Sequence, residues 1–236
     1  MDLKNIKKIP KDTNKPHTCP YCNQGFVRLT TLSTHLCEQK RRHQSKNDRH
    51  VKYALKAFIR YHELVEHSNK NWDDFVTSIY YSAFVRFGSL VSNVNPVNPN
   101  QFIDYMVNSR IKIDNWNKEC HYYKFVENLV KREPLQNALE RAIETMTKWG
   151  EISGKSWNEY FVEASKSTIL YDIKDGKISP WIVFNSEKAK QRLTTFSDSE
   201  LEDLDKILNV NHWYRVFSTK KTDLEFVKTI IEGSNI

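Results

Sequence analysis

Cys19 and Cys22, separated by Pro20 and Tyr21, are followed by His35 with twelve residues between the second cysteine and the histidine. Thiolates and a neutral imidazole are preferred ligands of zinc, and cysteines at this spacing can grip one ion through a single tight turn. The spacing therefore predicts a zinc site before it predicts a fold. A fourth ligand is ordinarily found with three to five residues between it and the histidine, but those places hold Gln39, Lys40 and Arg41. The nearest candidates are Cys37, two residues after His35, and His43, eight after it. On an unbroken helix, residues two apart point about 200° from one another, and residues eight apart are about 12 Å apart along the axis. Neither can join His35 on one ion unless the helix stops or bends. A break at Leu36 swings Cys37 back with little chain, and a thiolate is the stronger zinc ligand. Cys37 is therefore the favoured fourth ligand and His43 the runner-up.

Phe26 and Leu32 fall between the ligands where a small core needs apolar side chains. Up to His35 the stretch resembles the zinc fingers that pair two Cys with two His. That resemblance implies a small ββα-like unit whose helix lies in the major groove. It also implies base contacts from the residue just before the helix and from its third and sixth positions, which are here Arg28, Thr31 and Thr34. Arg28 would pair with guanine, and the two threonines would take a hydrogen bond or a thymine methyl. One finger covers only about three base pairs, so alone it does not select a genomic site. A wider resemblance rests on the His35-Leu36-Cys37 ending, the Lys40-Arg41-Arg42 after it, and Lys177-Ile178-Ser179-Pro180-Trp181. These are similar to small proteins of tailed bacteriophages with one N-terminal finger and a helical body, which implies a viral accessory protein in the host cytoplasm.

The chain holds 36 Lys and Arg against 29 Asp and Glu, a net charge of +7. The distribution is more lopsided than the total. Up to Lys70 there are 15 cations against 6 anions, a net of +9, which leaves 21 against 23, or −2, for the rest. Lys4, Lys7, Lys8, Lys11 and Lys15 precede the cysteines, and Lys40, Arg41, Arg42, Lys46, Arg49, Lys52 and Lys56 follow them. Such a run is the footprint of a phosphate-binding surface, where each neutralised phosphate releases a counterion. The expected nucleic-acid contacts are thus Arg28, Thr31, Thr34, Lys40, Arg41, Arg42, Lys46 and Arg49.

Three of the four cysteines belong to the metal motif, which leaves no disulfide framework and suits a reducing interior. The N-terminal Met-Asp-Leu-Lys-Asn-Ile-Lys-Lys lacks the apolar run of a signal peptide, and no stretch reaches 18 uninterrupted apolar residues. An intracellular, cytoplasmic protein without a membrane span is expected. Cys120 reads as a half-buried helical residue.

The chain divides into a flexible basic tail over 1–15, a finger over 16–44 and an all-helical domain over 45–236. Asp48 is placed to cap an amphipathic helix carrying Val51, Ala54, Leu55, Phe58, Ile59 and His62 through about His67. Residues 73–91 suit a helix in two pieces, broken near Ser82 or Gly88. Pro134 opens the clearest helix, with Leu135, Ala138, Leu139, Ala142, Ile143, Met146 and Trp149 on one stripe. Gly176 is expected to stop a helix rather than turn a hairpin. Ser197 with Glu200, and Thr222 with Glu225, are two capping boxes. Tyr80-Tyr81 and Tyr122-Tyr123 each put one ring in and one out. The fold class is all-α: a small ββα-like finger appended to an irregular multi-helix domain.

Gly154-Lys155-Ser156 lacks the first glycine and the strand of a phosphate loop and reads as a loop. No nucleophile elbow, dinucleotide fingerprint or His-Glu-x-x-His helix is present, so a catalytic role is not expected. The leading expectation is a zinc-dependent nucleic-acid-binding accessory protein, with a protein partner on the helical body. The alternative is a protein-protein adaptor or assembly factor with a structural zinc knob. The second alternative is a metal-dependent nuclease built from acids such as Asp73, Asp74, Asp172 and Asp175.

Overall fold

The computed structural model describes residues 15–236; the basic tail expected over 1–15 therefore lies, but for Lys15, outside the described residues. The chain forms two compact units: Met1–Asn93 with Arg110–Asn117, and Val94–Ser109 with Lys118–Ile236. The all-α expectation holds, since strand structure among the described residues is limited to one two-stranded ribbon.

In the first unit, β1 (His17–Thr18) pairs antiparallel with β2 (Gly25–Phe26), His17 opposite Phe26. Then follow α1 (Leu29–Thr34), α2 (Glu38–Gln44), a 3-10 turn (Ser45–Asn47), α3 (Arg49–Val65), α4 (Trp72–Thr77) and α5 (Tyr81–Val94). The apolar spacing of α3 buries Val51, Ala54, Ala57 and Phe58 and leaves Lys52 and Lys56 exposed on the other side. Asp48 occupies the N-cap position of α3, but its side chain makes no cap hydrogen bond. The helix ends at Val65, before His67, whose φ of 51° lies in the left-handed region. Phe58, Phe75, Phe84 and Phe87 form an aromatic core with Trp116, which returns from 110–117 and donates its indole N–H to the Ile111 carbonyl at 2.9 Å. Ring centroids 5.2–5.7 Å apart with steep interplanar angles suit the edge-to-face preference of aromatic quadrupoles.

The two-piece helix expected over 73–91 exists, but its break falls at 78–80 rather than at Ser82 or Gly88. Asn71 and Asp74 form a reciprocal capping box that starts α4 early. Gly88 instead sits inside α5 because α3 passes against it. A Cβ there would meet the His50 carbonyl at 2.1 Å and the Ala54 nitrogen at 2.8 Å.

The second unit comprises α6 (Pro99–Asn108), α7 (Glu119–Arg132), α8 (Leu135–Ser153), α9 (Tyr160–Glu163), α10 (Lys166–Lys174), α11 (Pro180–Val183), α12 (Glu187–Leu193), α13 (Asp198–Leu208), α14 (Val210–Thr219) and α15 (Lys221–Ser234). The stripe on α8 buries Ala138, Leu139, Ala142 and Met146, with Trp149 packed against the same core. Gly154 closes α8. α10 stops as expected: Gly176 takes φ 69°, its N–H donates to the Ile173 carbonyl, and the Lys177 N–H donates to the Asp172 carbonyl at 2.8 Å. That pair of bonds is a Schellman ending. Tyr81 and Tyr122 are buried while Tyr80 and Tyr123 are exposed, one ring in and one out in each pair.

Two local expectations fail. The Ser197–Glu200 box is made, but Thr222–Glu225 is not, because α14 and α15 are joined through Lys220 alone and Thr222 already lies inside the first turn of α15. Cys120, expected half-buried, is exposed near the start of α7, whose buried face carries Tyr122, Phe125, Val126 and Val130.

The α3–α5 contact leaves no room for one added methyl against main chain. Gly88→Ala is expected to lower the stability of the first unit by about 3 kcal/mol, the upper range for overpacking where backbone must move. Urea unfolding followed by circular dichroism measures it.

Candidate metal centre

Cys19 leaves β1 into a turn closed by the Asn23 N–H donating to the Cys19 carbonyl at 2.9 Å. Asn23 takes φ 57°, a left-handed conformation that asparagine tolerates. The turn brings Cys22 back beside Cys19. β2 leads into α1, held at its base by the Phe26 ring 4.7 Å from the His35 ring. α1 then ends: His35 is extended, with φ −67° and ψ 122°, and Cys37 is extended again before α2 begins. The break expected at Leu36 is therefore present, and Cys37 turns back.

Cys22 Sγ and His35 Nε2 stand 3.3 Å apart and the Cys19 and Cys37 sulfurs 4.0 Å apart. All four ligand atoms lie within 4.8 Å of one another, so the set could hold a metal ion. A tetrahedral ion bound at about 2.3 Å by sulfur and 2.0–2.1 Å by nitrogen needs ligand–ligand edges of roughly 3.5–3.8 Å. The four atoms need only small shifts to meet that figure.

Electrostatics favour a cation between them. Burial disfavours the Cys19 thiolate, but backbone N–H groups of Cys22 and Tyr21, together with the Cys22 and Cys37 thiols, outweigh it and hold its pKa below the ordinary thiol value. At Cys22 a backbone hydrogen bond at Gln24 favours the thiolate, yet burial and the nearby Cys37 and Cys19 sulfurs prevail and push the pKa up. Three sulfurs so close cannot all ionise without a positive ion to offset them. Cys37 also accepts the Lys40 N–H at 3.4 Å and so caps α2.

His43 is directed elsewhere. Its Nδ1 accepts the Trp72 indole N–H at 3.3 Å, and its ring lies 5.1 Å from that of Tyr21. α2 has carried it away from the sulfurs. No family model, curated protein or solved structure matches this chain.

Arg28 immediately precedes α1, Thr31 is its third residue and Thr34 its sixth and last, and all three are exposed. The Thr34 hydroxyl donates back to the Thr30 and Thr31 carbonyls. Arg41, Lys46 and Arg49 are exposed, and Lys40 is half-buried with its ammonium on the His35 carbonyl at 3.2 Å. Lys46 lies over the Trp72 ring and Arg49 over that of Tyr53. Arg42 differs from these. Its side chain is only 14% exposed, pairs with Glu38, donates to the Val76 carbonyl at 2.8 Å, and stacks on the Tyr81 ring at 4.3 Å. Its cation sits on the last carbonyls of α4, where the helix dipole is negative. The sequence carries no signal for this role beyond a third cation in a row, and none for Trp72 and Tyr21, which enclose His43.

Of the acids expected for a nuclease, Asp74, Asp172 and Asp175 have structural partners. Asp73 and Asp74 lie in the first turn of α4, Asp74 within its capping box. Asp172 and Asp175 are buried in the second unit. There the Tyr160 hydroxyl donates to Asp172 at 2.8 Å, and Lys177 pairs with Asp172 at 3.2 Å and Asp175 at 3.7 Å. Burial pushes the Asp175 carboxyl above its ordinary range, against the pull of Tyr171 and Lys177.

Two outcomes follow. Cys37→Ser is expected to weaken metal binding at least about 10-fold, whereas His43→Ala leaves affinity and stoichiometry unchanged; a chromogenic chelator competition reads both. Because the folded carboxyl of Asp175 has the raised pKa, stability is fully present below its unfolded value and falls as pH rises through the interval up to the folded value. Asp175→Asn removes that loss, so the variant gains stability relative to the parent as pH rises above the ordinary carboxylate range in urea titrations.

Proposed function

We propose that the centre binds zinc and that the protein is a nucleic-acid-binding accessory protein, held on phosphates by the basic surface that begins at the zinc ligands. Three thiolates and one imidazole form a soft, closed set that suits zinc as a structural ion, with no place left for a substrate. The observation that carries the nucleic-acid reading is the one-sided charge: +9 up to Lys70 against −2 beyond it. Arg41, Lys46, Arg49, Lys52 and Lys56 stand exposed along α2, the 3-10 turn and α3, directly after Cys37. Arg28 adds a cation in front of α1. Arg42, committed to α4, is left out of the binding set.

A second reading, a protein-docking adaptor, is favoured by Val27 and Leu29, both exposed at the start of α1. The two readings part on one experiment. Filter binding of duplex DNA, single-stranded DNA and RNA at two salt concentrations should give a slope of log affinity on log salt near −4, as about five phosphate contacts require. Arg41→Glu with Lys46→Glu should abolish most binding and flatten that slope, and a chelator should weaken it. Absence of binding to every nucleic acid at low salt overturns the proposal. Retention of a protein partner by the charge-reversed variant supports the adaptor. Arg42→Ala, by contrast, is expected to cost about 2 kcal/mol of stability, since it removes a charged donor from buried carbonyls.

A further inference from the structure

In the second unit a cleft of about 590 Å³ runs along α13, floored by Phe184, Leu204 and Leu208 and edged by Leu201 and Val210. Leu201 is 38% exposed and Val210 58%, so apolar surface continues from the floor to the lip. Every charged residue that lines the cleft is an acid: Asp198, Glu202 and Asp205. With Leu201 they fall at spacings of three, four and seven on α13, which places them on one helical face. None of the three forms an ion pair among the described residues. The nearby cations Lys174 and Lys206 both pair with Asp203, and Lys206 also lies within electrostatic reach of Glu202. Like charges three and four apart destabilise a helix, and a cation laid across them reverses the sign.

We propose that this cleft docks a basic amphipathic segment of a protein partner, with aliphatic side chains on the floor and lysines or arginines against Asp198, Glu202 and Asp205. The lining selects this chemistry twice. The apolar floor gains by burying aliphatic surface, and the acidic lip admits only cations beside it. A nucleic acid is repelled by the same lip, so the occupant differs in class from the one proposed for the zinc-bearing unit. A helical segment with anchors three or four residues apart fits the helix-in-groove mode.

Fluorescence anisotropy on the full-length protein tests it with three labelled 14-residue peptides: leucines at helical spacing among lysines, the same with glutamate for lysine, and the same with serine for leucine. Saturable binding is expected for the leucine–lysine peptide alone, unaffected by a metal chelator, and weakened at least about 10-fold by Glu202→Lys with Asp205→Lys. Both positions are exposed, and circular dichroism checks that the variant stays folded. Equal binding of the serine peptide reduces the effect to charge and overturns the proposal, as does equal binding of the glutamate peptide. Unchanged binding by the double variant places the peptide elsewhere and overturns it too. A dimer in sedimentation that Leu201→Glu disperses makes a second copy of the chain the occupant, and the proposal falls.

Discussion

Two side chains separated by one residue must reach a single point, and most of the first unit's layout descends from that requirement. His35 and Cys37 meet across Leu36 only if the helix that delivers the histidine ends there, and both residues are accordingly extended. α1 is left with six residues, far below the length at which a helix holds itself in water. It depends on the two-stranded ribbon, on Phe26 and Leu32, and on the ligand cluster itself. The same reversal sets where α2 begins, because the sulfur of Cys37 caps it. With the start of α2 fixed, its phase is fixed, and Arg42 falls where the carbonyls of Val76 and Ser78 are waiting.

That phase divides one run of like charges into two physical roles. Arg41 and Arg42 are neighbours in sequence but about 100° apart around the helix, so one faces water while the other faces α4. Arg41 keeps its hydration and remains able to exchange it for a phosphate. Arg42 has already given up its water for carbonyls, a carboxylate and the Tyr81 ring. Recruiting it to an external anion would strip α4 of the cation at its C-terminal end. A charge count along the chain cannot tell these two arginines apart, because the count has no angular coordinate.

The parts legible in the sequence are those where a residue type has one physical use. Cysteines three apart with a histidine beyond them specify a site, and the two-residue spacing of His35 and Cys37 requires the break that the fold contains. The stripe on α8 is similarly direct, because a four-turn apolar stripe has few other readings, whereas the stop at Gly176 competes with a hairpin turn and is favoured only by its helical surroundings. Most of the misread places are decided by groups distant in sequence. α5 carries Gly88 without breaking because α3 lies against it. The break at 78–80 sits where Arg42, some 36 residues earlier, holds the Val76 and Ser78 carbonyls. The capping pattern at Thr222 is genuine as a pattern, but α14 runs too close for the helix to start there. The acids of the second unit read first as caps, turns and solvated faces, and the sequence does not reveal that the Tyr160 hydroxyl and the Lys177 ammonium lie on Asp172.

Trp116 belongs to the core of the first unit although α6, which precedes it in the chain, belongs to the second. The polypeptide thus crosses from one unit to the other, returns for 110–117, and leaves again. On a ribosome, the finger and α3 to α5 emerge with the seat of that indole still vacant, and α6 is made before it is filled. The N-terminal unit therefore completes its core only once Asn117 has emerged, although its first segment ends at Asn93.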